Sequence, residues 1–200
     1  MPNFLLSDPI KQFQLWFSEA IETHPLKNPE AMTLSTVDVS GFPDARIVLL
    51  KGFDVRGFCF FTNRESPKGD QLKTNAKAAL TFYWPTLGYQ VRVQGVVEET
   101  SAEESDRYFS SRVRGSQIGA WASAQSKSLE SREEFDRLVN DVTQKFEGQG
   151  VPRPSNWGGY RVIPLKIEFW IEGNYRLHDR FEYSRETVEG TTWQVRRLFP

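Results

Sequence analysis

AMTLSTVDVSGFPDARIVLLKGFDVRGFCFFTN, residues 31–63, is the stretch that decides the fold. Met32-Thr33-Leu34-Ser35-Thr36-Val37 alternates roughly every second residue, the period of a strand with one buried face. Gly41-Phe42-Pro43 reads as a turn, 46–50 as the next strand, 54–57 as a second turn and 58–62 as a third strand. Upstream, Asp8 can cap a helix over 8–23, with Pro9 in its first turn and Ile10, Phe13, Phe17, Ala20 and Ile21 at helical spacing. His24-Pro25 marks its exit. Downstream, Ser66-Pro67 opens a short helix to about Asn75, and 79–84 and 90–99 are strands. Ser101 with Glu104 is a capping-box signature for a helix to about Ser111. Ser131 with Glu134 repeats it ahead of an apolar stripe of Phe135, Leu138, Val139, Val142 and Phe146. A Pro/Gly-rich loop is expected over 148–159, then strands over 160–170, 175–184 and 192–198. Many short strands with few helices argue against a doubly wound sheet. They predict a mainly β protein with peripheral helices, one domain over 1–200, with the strands closed or nearly closed into an antiparallel barrel that hides its edges.

Composition narrows the function. The 25 basic and 26 acidic residues nearly cancel, which lacks the basic footprint of a nucleic-acid binder. Fifteen Phe, six Tyr and six Trp suit strands, a subunit interface or a flat aromatic ligand. The one cysteine, Cys59, lies in an apolar run and predicts a buried thiol without a disulfide or CxxC site. Two histidines exclude a His-rich metal site, so no metal is expected. No run is long enough to span a membrane, and Met1-Pro2-Asn3-Phe4 lacks the features of a signal peptide, so a soluble cytoplasmic protein is expected.

Local positive charge in this neutral chain points to a phosphorylated small molecule. Arg46 and Lys51 bracket an apolar segment; five positions apart, they face opposite sides of an ideal strand and can serve two anions, or one through a bulge. Ser66, Lys68 and the N–H groups of a helix start can hold phosphate, although an ordinary capped helix with an exposed lysine has the same pattern. Tyr108, Arg112 and Ser116 are spaced by four; the first two share a face if the helix continues, while Ser116 can sit in the turn after Arg114-Gly115. A solvated polar face is the plainer reading of that spacing. On a strand over 175–184, Arg176, His178 and Arg180 share one face, and Leu177 and Asp179 the other. Three donors on one face call for an anion or carboxylates. No GxSxG elbow, GxGxxG or P-loop is present. Gln90 and Trp170 can contact a planar ring or simply pack.

The ordered motifs RIVLLK (46–51), FFTN (60–63), QVRVQG (90–95), SQIGAWASAQS (116–126), WGGYRV (157–162), IEFW (167–170) and RLHDRFEY (176–183) cover nearly the whole chain from Asp8 onward. Together they resemble the pyridoxine (pyridoxamine) 5′-phosphate oxidase family. The resemblance implies an FMN-binding split β-barrel and a homodimer with FMN at the subunit interface, its C-terminal strands serving dimerisation and the substrate site. It implies that Arg46 and Lys68, with Ser66 and Pro67 nearby, hold the FMN phosphate. The rest of the cofactor segment, Ile47, Val48, Leu49, Leu50 and Lys51, would lie along the same molecule. Phe61, Thr62, Gln90, Gln125, Ser126, Trp170 and Arg180 would complete the flavin environment, some of them from the opposite subunit. Lys51, Tyr108, Arg112 and Ser116 would bind the substrate phosphate. Arg176, Leu177 and His178 would lie at the pyridine ring, with Arg176 and His178 as the catalytic pair. The implied reaction oxidises pyridoxine 5′-phosphate or pyridoxamine 5′-phosphate to pyridoxal 5′-phosphate, with oxygen as electron acceptor and hydrogen peroxide as product. The chain departs from the family pattern at Pro67 and Tyr89, where a basic residue is common, at Asn28, where an aspartate occurs, and in a short arm before Asp8. The alternatives are a related FMN oxidase of another aromatic substrate, such as a phenazine precursor, and a non-catalytic flavin or vitamer-binding protein.

Overall fold

A computed structural model describes residues 5–22 and 26–200; the expected helix exit at His24-Pro25 and the segment Met1–Phe4 lie outside them. The strands are β1 (Ala31–Val37), β2 (Pro43–Leu49), β3 (Gly52–Asp54), β4 (Gly57–Asn63), β5 (Lys77–Trp84), β6 (Tyr89–Glu99), β7 (Trp157–Ile171), β8 (Asp179–Ser184) and β9 (Gln194–Leu198). The helices are α1 (Pro9–Glu22), α2 (Pro67–Thr74), α3 (Ala102–Ser111), α4 (Arg114–Ala122) and α5 (Arg132–Lys145).

All strand pairings are antiparallel, in the order β2-β1-β5-β6-β7-β4-β3, with β8 on β7 and β9 on β8. The fifteen-residue β7 organises this sheet. One edge of it carries β6; the other carries β4 along 157–162 and β8 along 166–171. The sheet therefore splits at 163–165. Gln94 pairs with Lys166 but Gly95 pairs with Pro164, so Leu165 is an extra residue that bends the strand there. Pro164 has no N–H to lose, and a Cβ on Gly95 would lie 2.0 Å from the Ile163 carbonyl oxygen, so only glycine permits this approach. The sheet curls until β2 returns towards β4, where the Lys51 N–H donates to the Cys59 carbonyl at 2.8 Å.

Periodicity places the core. Met32, Leu34, Leu80, Phe82, Val91, Val93, Ile167 and Phe169 all point inward at alternate positions and are buried. α1 closes over them: Asp8 accepts from the Ile10 N–H at 2.8 Å, and Phe13 meets Phe53 and Phe58 edge to face, each at 4.9 Å. A second apolar cluster of Phe109, Ile118, Phe146, Val151 and Trp157 ties the helical segment α3–α5 to the start of β7.

Four local expectations need correction. α4 was not foreseen; its N-cap is Val113, which offers no side-chain acceptor, and Gly115 and Gly119 weaken its helical pattern. Gly52–Asp54 pairs with β4 as a hairpin strand, although the sequence places no strand between 46–50 and the turn at 54–57. β7 begins at Trp157, inside the expected loop. The strand expected over 175–184 begins only at Asp179: residues 174–176 form a 3-10 turn, with Tyr175 and Arg176 at φ of 56° and 65°. Arg176, His178 and Arg180 therefore do not share a strand face.

Candidate active site

A cavity of about 820 Å³ opens beside β2 and is lined by Lys51, Phe61, Thr62, the start of α2, Tyr108, Arg112, α4, Gln125, Ser126 and Trp157. Two cationic corners lie within it.

The first corner is built by β2, β4 and α2. Ser66 is the α2 N-cap, but its hydroxyl turns away from the helix and donates to the Asn63 carbonyl at 2.7 Å. That leaves the Ser66 oxygen to accept from Lys68 Nζ at 3.0 Å; Lys68 also donates to Thr62 Oγ1 at 3.2 Å and Gln125 Oε1 at 3.4 Å. These partners are neutral, and among the described residues no carboxylate pairs with Lys68. Lys68 is only 7 % exposed, and burial, helped by repulsion from Arg46, lowers its pKa below the ordinary lysine value. Arg46 differs: it pairs with Asp44, and it donates to Thr36 Oγ1 at 2.6 Å and Gln71 Oε1 at 3.2 Å.

The second corner gathers Lys51, Tyr108, Arg112 and Ser116. Strand parity sets Arg46 and Lys51 on opposite faces, yet both line the cavity. β2 ends at Leu49, Leu50 drops into the core, and the chain joins β4 through Lys51, so parity does not run across the pair. Tyr108 leaves α3 and stacks on Phe61 at 4.1 Å. Arg112 is not on the helix but is its C-cap, with extended backbone at ψ 147°, while Ser116 lies in the first turn of α4. The Arg112 guanidinium lies over Trp157 at 4.8 Å and Phe109 at 5.6 Å. One of its terminal nitrogens, Nη1, is buried and has no hydrogen-bond partner among the described residues, and burial lowers the Arg112 pKa from the ordinary arginine value. Burial raises the Tyr108 pKa, which keeps its hydroxyl a donor.

The cavity also holds Ile47, Val48, Leu49, Phe61, Thr62, Pro67, Gln125 and Ser126. Leu50 and Ser66 are buried behind it. Gln90, Trp170, Arg176, Leu177, His178 and Arg180 do not line it. Gln90, Trp170 and Arg180 stand side by side across β6, β7 and β8. His178 packs on Trp170 at 4.4 Å and accepts the Gly173 N–H at Nδ1, 3.2 Å, so a neutral ring carries its proton on Nε2. Buried Glu168 accepts from Arg180 Nε at 2.8 Å and raises the Arg180 pKa. Arg176 and Leu177 stay exposed. Sequence reasoning passed over Asp44, Asn63, Gly119, Ala120, Ser123 and Trp157 as cavity residues. All but Asp44 lie within the ordered motifs, Asn63 in FFTN, Gly119, Ala120 and Ser123 in SQIGAWASAQS, and Trp157 as the first residue of WGGYRV. Among the described residues no cluster could hold a metal ion, and no helix is long and apolar enough to cross a membrane.

A buried lysine and a half-buried arginine, neither paired with an acidic group among the described residues, stand beside a stack of aromatic rings in a split antiparallel barrel, an arrangement able to hold planar and anionic groups together. Residues 17–146 match the family model described as Pyridoxamine 5'-phosphate oxidase, and 157–200 match Pyridoxine 5'-phosphate oxidase C-terminal dimerisation region. The chain belongs to the pyridoxine/pyridoxamine 5′-phosphate oxidase family. It is 53% identical over 193 residues to the pyridoxine/pyridoxamine 5'-phosphate oxidase of Burkholderia mallei (strain SAVP1), covering 96% of this chain and 89% of the relative. The oxidase of Burkholderia thailandensis is 51% identical over the same shares. Among solved structures, PhzG from Burkholderia lata 383 in complex with tetrahydrophenazine-1-carboxylic acid superposes with TM-score 0.91 at 29% identity, covering 100% of this chain and 97% of that one. A pyridoxamine 5'-phosphate oxidase-related, FMN binding protein from Nostoc punctiforme PCC 73102 shares the fold, with TM-score 0.76 at 16% identity over 98% and 100% of the two chains.

Proposed function

We propose that this protein is an FMN-dependent oxidase that converts pyridoxine 5′-phosphate or pyridoxamine 5′-phosphate to pyridoxal 5′-phosphate, with oxygen as electron acceptor and hydrogen peroxide as product. The observation that carries this reading is the presence of two separate cationic corners in one cavity. Two phosphorylated molecules, cofactor and substrate, need two anchors.

Lys68, Arg46, Thr62, Gln125 and Ser126 fit the phosphate end of FMN, because Lys68 is a buried cation that only neutral oxygens now contact. When bound, FMN supplies the two-electron acceptor. The protein's own groups do the rest. Lys51 and Arg112 neutralise the substrate phosphate, and Tyr108 and Ser116 donate hydroxyl hydrogen bonds to it. An anchor remote from the reacting carbon converts binding energy into alignment. Arg176 orients the pyridine ring and offsets charge that develops on it. His178 donates from Nε2 as a positioning group, since Nδ1 already accepts the Gly173 N–H.

The match of 157–200 to a dimerisation region supports a homodimer. In this reading Arg176, Leu177 and His178 reach the partner's cavity, which explains why they stand outside the cavity of their own protomer. Leu177 is 70% exposed and Tyr175 94%, as a projecting turn would require. The sheet runs unbroken from β2 to β9, which supports reading 1–200 as one domain. We expect the dimer to work in the cytoplasm.

Anaerobic mixing of the FMN-loaded protein with pyridoxine 5′-phosphate tests the proposal. Bleaching of the flavin band, reversed by oxygen with aldehyde formation, is expected. The likeness to PhzG favours a second reading, an oxidase of a phenazine precursor. Bleaching by a reduced phenazine carboxylate but by neither vitamer phosphate would establish that reading. Bleaching by none of them, at full flavin occupancy, would leave a binding protein.

A further inference from the structure

We propose that Trp157 is a positioning residue: it holds Arg112 ready for the substrate phosphate and so sets the preference for phosphorylated over unphosphorylated substrates. This rests on the assignment of Arg112 to that phosphate.

Arg112 follows the last residue of α3, and its extended backbone takes it off the helix surface, so helical packing does not aim its side chain. Among the described residues it makes no ion pair with a carboxylate. What contains the guanidinium is aromatic: the Trp157 ring at 4.8 Å and the Phe109 ring at 5.6 Å. The two kinds of support differ in consequence. A carboxylate would occupy the N–H fork and neutralise its charge. A π-face attracts the cation through its quadrupole while leaving the N–H donors and the charge for an incoming anion. The buried Nη1, without a partner among the described residues, is the donor such an arrangement leaves over.

Trp157 is itself fixed. It is 6% exposed, its backbone N–H donates to the Pro154 carbonyl at 3.1 Å, and its backbone carbonyl accepts from Arg153 at 2.7 Å. Its ring lies nearly parallel to those of Phe61 and Tyr108, at 5.5 and 6.0 Å with interplanar angles of 12° and 11°. Phe109 meets its ring at 5.1 Å and 70°. One indole thus couples Arg112 to Tyr108, a second donor of the same corner.

The test is a double-mutant cycle on the FMN-loaded protein, with Trp157→Leu and Trp157→Phe made in the wild-type and Arg112→Ala backgrounds. Calorimetry reads binding of pyridoxal 5′-phosphate, and steady-state assays read KM and kcat for pyridoxine 5′-phosphate. Trp157→Leu is expected to weaken binding and raise KM by about tenfold, with a smaller change in kcat. Trp157→Phe, which keeps a π-face, restores most of the loss. In the Arg112→Ala background Trp157→Leu adds nothing. Equal losses in both backgrounds would make Trp157 mere packing and overturn the proposal, as would wild-type affinity in Trp157→Leu. Failure of the unmutated protein to bind pyridoxal 5′-phosphate would instead remove the vitamer reading, and this role with it.

Discussion

Lys68 is a buried charge whose contacts are all neutral oxygens. Its pKa is lowered by burial, so between that lowered value and the ordinary 10.5 the unfolded chain keeps a proton that the folded chain has released. Stability of the flavin-free protein therefore rises with pH across that window, and below it the buried charge is a constant penalty. Lys68→Met is expected to stabilise the flavin-free protein by about 1 kcal/mol in urea unfolding at neutral pH, and to flatten the rise. FMN affinity, followed by quenching of flavin fluorescence, should fall at least about tenfold. Unchanged FMN affinity would detach Lys68 from the cofactor. Arg112→Ala makes the complementary case. It should raise KM for pyridoxine 5′-phosphate by about tenfold or more while flavin content stays constant; an unchanged KM would contradict its assignment. Residue chemistry of this kind was partly legible. The sequence marks Lys51, Lys68, Tyr108, Arg112 and Ser116 as donors, but spacing alone cannot distinguish a solvated lysine from a buried one. Lys68 acquires its shifted pKa only from neighbours as distant as Gln125.

The elements that obeyed local rules were those whose signals lie within a few residues. Ser101 and Glu104 form the reciprocal capping box, with bonds of 3.1 and 3.3 Å between side chain and backbone N–H. Ser101→Ala should cost about 1 kcal/mol in urea unfolding, and α3 is the helix that brings Tyr108 to the cavity. A loss below about 0.3 kcal/mol would mean that tertiary contacts hold the helix start without its cap. The bend in β7 depends on a different device. A Cβ at Gly95 would meet the backbone of Ile163 and Pro164, so Gly95→Ala should lower stability by about 1–3 kcal/mol. An unchanged melting temperature would show that the split between β4 and β8 tolerates a wider β6–β7 spacing. The elements that escaped sequence reasoning lack such signals. α4 has no capping side chain and two glycines. The turn at 174–176 places Tyr175 and Arg176 in the left-handed region, which neither residue type announces.

At the scale of the molecule, the cavity and the Gln90–Trp170–Arg180 row occupy different parts of the protomer, and the proposed dimer unites them. This can be tested by complementation. Assayed at substrate well below KM, Arg112→Ala and Arg176→Ala are each expected to lose most of the activity, but a mixed dimer keeps one site with both arginines intact if each site draws on two protomers. Co-refolded equal amounts should recover about a quarter of wild-type activity, since half the dimers are mixed and half of their sites are whole. No recovery would place both arginines in one protomer. By itself the sequence determined the antiparallel, mainly β character, the caps of α1, α3 and α5 and the ordered motifs of the family, because alternation, caps and motifs are written over short distances; the thiol of Cys59, expected to be buried, is only half-buried. Only the tertiary structure decided that Arg46 and Lys51 meet in one cavity despite their parity, that Trp157 lies under Arg112, and that β7 serves β4 and β8 on one edge. These depend on where the chain ends one strand and joins another, and on contacts between residues more than a hundred positions apart, which no local periodicity encodes.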